Sequence, residues 1–286
     1  MTDTLGLVVP SITNPFFPAL IEAVDQQLVG MSKQLLLCDS RNDAAIESHR
    51  LQSLIDRQVD GIIVSPCDAS ESVASIELAA RRVPLVQIDR RVHGNVTDWV
   101  GVDNAEGMRA LCKHLARLGA STVTFVGAVP LNSAAKDRAN GLAAACEDFG
   151  LRLEDNLFGD FTVAWGTEAG EQLLRRPNLS TALVCGNDLI AIGLLRALTS
   201  AGVEVPKDVM VTGFDDIASA SLSTPPLTTV RQPHLIIAKE AIRLLEERLA
   251  QGDQTFQRVA VSPELIIRES TAKDVSSLEN HGSKSD

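Results

Sequence analysis

Residues 59–90 read VDGIIVSPCDASESVASIELAARRVPLVQIDR, and the architecture can be read outward from them. Gly61–Ser65 is a short apolar run. Ser70–Arg82 has the length and spacing of a helix, and Pro84–Ile88 is a second apolar run. Continuous Val, Ile and Leu, without polar alternation, mark strands buried on both faces. A helix between two such strands makes one unit of a covered parallel sheet.

The alternation extends in both directions. Upstream lie a strand at Leu5–Val9, a helix at Pro18–Val29 with Leu20, Ile21, Val24 and Leu28 on one face, a strand at Leu35–Cys38 and a helix at Ala44–Arg57. Downstream come Val100–Val102 and a helix over Ala105–Leu118. A second series has strands at Thr122–Val126, Ala182–Cys185, Val209–Thr212 and Leu227–Val230, with helices at Ala134–Phe149, Trp165–Arg175 and Leu189–Ser200. A long helix from Pro233 to Ala250 and one last strand, Val259–Ile267, complete the pattern.

So many strands exceed one open sheet. The expected class is α/β, with two doubly wound parallel-sheet lobes and a ligand cleft between them. Residues 3–102 plus 232–256 form the N-terminal lobe and 103–231 plus 257–270 the C-terminal lobe. The crossovers are expected near Gly101–Asn104, Val230–Gln232 and Gln254–Val259. The polar tail, 273–286, is expected to be disordered. In sheets of this kind ligands sit beyond the carboxyl ends of the strands.

Composition narrows the function. The 286 residues are 45% hydrophobic and 22% charged, with a net charge of −11. A chain this acidic binds DNA poorly by itself, because DNA affinity comes largely from Lys and Arg on phosphates. Cys38, Cys67, Cys112, Cys146 and Cys185 are odd in number and lack metal-ligand spacing, which reads as reduced thiols. The start Met1-Thr2-Asp3-Thr4 lacks a secretory leader, and no apolar run reaches the roughly 18–20 residues that span a membrane. A cytoplasmic protein is expected. The nucleotide-cradling, zincin and nucleophile-elbow motifs are all missing, and the scattered His read as surface or capping residues. Neither enzyme activity nor a cofactor or metal is expected.

The residues directly after each strand are informative. Strand one leads to Asn14-Pro15-Phe16-Phe17, and strand four to Asp89-Arg90-Arg91. The loop after Thr122–Val126 leads to Arg138. An edge segment ends in Asp160-Phe161 near Trp165. Asn187-Asp188, Phe214-Asp215-Asp216 and Arg231-Gln232 come after the later strands. Singly, Asn14 and Asn187 are good helix caps and the Phe residues good core. Together they gather aromatic faces for sugar C–H groups, Asp for hydroxyls, Arg forks for vicinal oxygens, and Asn and Gln with a donor and an acceptor each. Asp89 and Asp215 balance Arg90 and Arg138, which points to an uncharged ligand. Arg91 and Asp188 are expected to point elsewhere, and Arg138 and Asp215 to stand in an open, solvated cleft.

The segments LGLVVPSITNPFF (5–17), VDGIIVSP (59–66), PLVQIDR (84–90), DRANGL (137–142), GNDLIAIGLLRAL (186–198), VPKDVMVTGFDDI (205–217) and TPPLTTVRQP (224–233) resemble the effector-binding core of the LacI/GalR transcription regulators. That core has the periplasmic-binding-protein type I fold, and the resemblance spans about residues 4–272. The last two segments are specific to regulators. Ribose binders of this fold are the best match. The resemblance implies ligand contacts from Asn14, Phe16, Phe17, Asp89, Arg90, Arg138, Phe161, Asn187, Asp215 and Gln232. Trp165 is extra to the pattern; it narrows the pocket, admits a ribonucleoside or packs.

Family members carry an N-terminal helix-turn-helix domain, absent before the first strand here, so operator DNA is expected to be read outside this chain. The implied partners are a small neutral sugar effector, ribose or a related pentose or ribonucleoside, and a second copy of the chain. Dimerisation is assigned to first-lobe helix faces such as Ile76, Leu78 and Ala79. The implied mechanism is sugar-driven closure that changes operator affinity. The competing readings are a solute-binding protein of a sugar transporter, a regulator sensing a ribonucleoside, and an enzyme with Asp188 or Asp216 as base.

Overall fold

The computed structural model describes residues 2–251 and 255–272. The tail 273–286 and Gln254, at the third expected crossover, lie outside the described residues. The chain divides into two units. Among the described residues, one comprises 2–103, 130–136, 233–251 and 255–262, and the other 104–129, 137–232 and 263–272.

The first unit contains β1 (Thr4–Val9), α1 (Phe16–Val29), β2 (Gln34–Asp39), α2 (Ala44–Asp56), β3 (Gly61–Val64), α3 (Val73–Ala80), β4 (Leu85–Ile88) and β5 (Asp98–Val102). The chain continues through α4 (Asn104–Arg117), β6 (Thr122–Ala128), α5 (Ser133–Phe149), β7 (Arg152–Gly159), α6 (Val163–Leu174), β8 (Ala182–Cys185), α7 (Asp188–Ser200), β9 (Met210–Thr212) and β10 (Thr229–Arg231). It ends with α8 (His234–Gln251), β11 (Arg258–Val261) and β12 (Glu264–Ile266).

The first sheet has the order β11-β5-β4-β3-β1-β2, with every pairing parallel. The second has the order β7-β6-β8-β9, again wholly parallel. Both start as strand two beside strand one beside strand three, so each reverses strand order next to its first strand. That reversal opens a crevice at the carboxyl edge. The apolar runs behave as expected: every residue of β3, β4 and β8 is buried. The edge strands β2 and β7 are largely half-exposed or exposed.

One strand departs from expectation. Residues 259–267 do not form a single strand of the C-terminal lobe. Arg258–Val261 lies parallel to β5 in the first sheet, whereas Glu264–Ile266 pairs antiparallel with β10 in the second unit. Pro263 stands between them and has no N–H to donate to a continued ladder. The first unit therefore extends to 262 rather than 256. Residues 130–136 also belong to it, tied by the Ala69 N–H to the Leu131 carbonyl and the Arg91 N–H to Ser133 Oγ. Among the described residues no helix is long and apolar enough to cross a membrane.

In the second unit, α6 and α7 meet backbone to backbone. A Cβ at Gly166 would overlap the Ile190 carbonyl, and one at Gly193 the Val163 carbonyl. This contact sets α6 against the helix that Asn187 caps. Gly193→Val is expected to lower stability by about 2 kcal/mol or more through overpacking. A urea-unfolding midpoint equal to that of the parent would contradict the close approach.

Candidate functional site

Each unit carries its own group of the residues singled out from sequence. In the first, β1 ends at Val9 and Asn14 opens α1. Asn14 Oδ1 accepts from the Phe16 N–H at 3.2 Å and its carbonyl from the Phe17 N–H at 3.0 Å. Phe16 and Phe17 occupy the first turn and are buried, in edge-to-face contact at 5.0 Å. The Phe16 ring also meets His234 at 5.1 Å.

At the end of β4, Asp89 takes a left-handed backbone, φ 61°, uncommon for any residue but Gly. Its Oδ2 accepts from Ser65 Oγ at 3.3 Å and lies 3.8 Å from Arg90 Nε. The Arg90 guanidinium sits over Phe17 at 5.6 Å and donates to Asn42 Oδ1 at 3.2 Å. Arg91 turns away, over Trp99 at 4.9 Å.

The second unit's group centres on Arg138, on α5. Its Nε donates to Asn104 Oδ1 and its Nη1 to the Gly186 carbonyl, both at 2.8 Å. Its Nη2 is 3.3 Å from Asp215 Oδ1, and the guanidinium lies 3.8 Å from the centre of the Phe214 ring. Gln232 Nε2 donates to the same Asp215 oxygen at 2.8 Å. Asp215 has φ 111°, a second strained backbone at a strand end. Asn187 does cap α7, accepting from the Ile190 N–H at 3.0 Å. Among the described residues of this unit, the buried side-chain polar atoms without a partner are Asn187 Nδ2, Thr212 Oγ1 and Gln232 Oε1.

Phe161 and Trp165 flank the start of α6 and pack, half-buried, on the unit's core. The Trp165 indole N–H donates to the Gly127 carbonyl at 3.0 Å, and its ring covers Gly159. It is thereby fixed at the carboxyl ends of β6 and β7.

Several expectations are corrected. Arg138 and Asp215 are not solvated: they are 3% and 4% exposed. The guanidinium needs acceptors for its five N–H donors, and neighbouring elements close over it to supply them. Asp188, expected to point elsewhere, is fully buried with Asp215 nearby, accepting from Thr229 Oγ1 at 2.5 Å and the Ile217 N–H at 2.9 Å. Burial, then the nearby Asp215 charge, hold its carboxyl well above the usual range. Ile76 and Ala79 are core residues of the first unit and present no dimer face; of the three, only Leu78 is exposed. His114 is also buried, 2.9 Å from Thr271 Oγ1, and burial, then Arg117, push its pKa down to about 4.

Sequence reading misses Asn104 as part of this group, and quotes Phe214 beside Asp215 without assigning it a contact. Asn104 begins a helix and looks like an ordinary cap. Its only sequence signal is a place just after a strand end, the same signal that marks Asn187.

The chain matches a family model described as a periplasmic binding protein-like domain over residues 112–271. It is 30% identical over 274 residues to the HTH-type transcriptional repressor PurR of Haemophilus influenzae (strain PittEE), spanning 94% of this chain and 81% of the relative. It is 30% identical over 269 residues to the ribose operon repressor of Escherichia coli (strain K12), spanning 93% and 82%. Among solved structures, a periplasmic binding protein/LacI transcriptional regulator from Alkaliphilus metalliredigens QYMF, complexed with D-xylulofuranose, has a TM-score of 0.82 at 26% identity. That match covers 94% of this chain and 99% of the other.

The burial of Arg138 predicts a stability effect. Arg138→Ala leaves Asp215 buried without the Arg138 counter-charge, and is expected to cost about 3–5 kcal/mol. Removing both charges, in Arg138→Met with Asp215→Leu, is expected to cost less than the single substitution. Urea unfolding of the variants measures this; strictly additive losses would mean the two charges do not act as a pair.

Proposed function

The chain belongs to the LacI/GalR family of transcriptional regulators and supplies their effector-binding core, and we propose on that premise that its effector is a small neutral sugar, ribose first among candidates. The observation that carries this reading is the set of unpartnered buried atoms in the unit that holds the Arg138–Asp215 ion pair. Asn187 Nδ2 is a donor, Gln232 Oε1 an acceptor and Thr212 Oγ1 either. Leaving such groups unsatisfied costs roughly 1–3 kcal/mol each. Ligand hydroxyls suit Asn187 Nδ2 and Gln232 Oε1, on residues next to or bonded to the groups that hold Arg138 and Asp215, since each hydroxyl both donates and accepts. Arg138 is already matched by Asp215, and Arg90 lies beside Asp89, so neither group offers a free cation to a phosphate.

The similarity to the ribose operon repressor and to the D-xylulofuranose complex supports a pentose. Asn14, Phe16, Phe17, Asp89, Arg90, Arg138, Phe161, Asn187, Asp215 and Gln232 are assigned to the sugar. A sugar held by these residues shifts the population toward the conformation that binds it better. Operator affinity of the full regulator, acting as a dimer, then changes reciprocally with sugar affinity. A ribonucleoside is the second reading. It is supported by the fixed Trp165 ring.

Thermal unfolding with ribose, other pentoses, hexoses, ribonucleosides and purine bases tests the proposal. Ribose at about 100 times its dissociation constant is expected to add roughly 2.7 kcal/mol of stability. Phe161→Ala is expected to weaken that binding by about 1–3 kcal/mol, through lost burial and stacking. A response confined to ribonucleosides selects the second reading, and one confined to purine bases or phosphorylated sugars overturns both.

A further inference from the structure

A cavity of about 770 Å³ opens on the first unit where Pro84 and Leu85 enter β4. Asp89 and Arg90 come after the other end of the same strand. Four strand residues put about 13 Å between the two ends, so this is a separate place. Its volume is within the usual range for small-molecule sites.

Arg81 and Arg82, just past the end of α3, line the cavity, and neither guanidinium has a hydrogen bond or ion pair among the described residues. Arg248 also lines it, but its charge is committed: it holds Asp98 at 2.5 and 2.9 Å and lies over the Phe256 ring at 4.8 Å. Glu77 is the one carboxylate in the lining. Three Arg against Asp98 and Glu77 leave one positive charge in excess, on a chain whose net charge is −11. The carbonyl end of α3 disfavours an anion, and the two free guanidiniums reverse that. Phe256 is 37% exposed and, like Asn95, lines the cavity.

Unpaired planar guanidiniums recognise phosphate, and an exposed aromatic ring recognises a planar base. We propose that this cavity is a second ligand site, independent of the sugar site, that takes a mononucleotide with its phosphate on Arg81 and Arg82 and its base against Phe256.

Isothermal titration at low salt, with AMP, ribose 5-phosphate and inorganic phosphate as probes, tests it. AMP is expected to bind more tightly than ribose 5-phosphate. Arg81→Ala with Arg82→Ala is expected to weaken both by about tenfold or more, and Phe256→Ala to weaken AMP alone. All three side chains are exposed, and an unchanged unfolding midpoint and ribose response would show the variants intact. Four results overturn the proposal: no AMP binding, AMP binding that survives the double Arg substitution, competition between AMP and ribose, or equal affinity for AMP and inorganic phosphate. Capture of duplex DNA but not AMP would make the arginines a DNA-backbone contact and likewise overturn it.

Discussion

A cation taken out of water has to be matched on every side, and in the second unit Arg138 is that cation. Its acceptors come from the start of α4, the end of β8 and the loop after β9, and an aromatic ring covers its face. Three separate strand ends and helix starts are thereby drawn to one point. Asp215 holds a backbone of φ 111° there, a strain of order 1–3 kcal/mol that persists only where surroundings over-determine it. The ion pair and the Gln232 bond supply that determination. Asp89, φ 61°, repeats the arrangement more loosely in the first unit, held by Ser65 with Arg90 beside it.

The doubling is topological. Both sheets run strand two, strand one, strand three, and both place polar side chains just past the strands at the reversal. Asn14 after β1 and Asn187 after β8 each turn the chain into a helix with one carbonyl oxygen of the side chain. The structural and recognition readings of Asn187 are therefore compatible, since Oδ1 caps while Nδ2 is left for something else.

Much of this is legible in the sequence. Apolar runs such as GIIV and ALVC cannot lie on a half-exposed sheet, so the parallel architecture comes from them. Phe16, Asp89, Asn187, Asp215 and Gln232 stand out because they come soon after strands. Burial depth is not legible: Arg138 looks like any solvated helix Arg until Asn104, Gly186 and Phe214 are brought to it from distant parts of the chain. The split at Pro263 is hidden because VAVSPELII carries apolar residues on both sides of the break. Ile76 and Ala79 pass for a dimer face because period alone does not say which face of a helix is covered.

The proposed sugar completes the polar groups left open around Arg138 and Asp215, and a crystal structure of the chain with ribose tests that most directly. Ribose hydroxyls are expected within about 3 Å of both Asn187 Nδ2 and Gln232 Oε1, with the Arg138–Asp215 pair intact. Ribose bound elsewhere, or those two atoms satisfied by protein groups in the complex, would rule the assignment out.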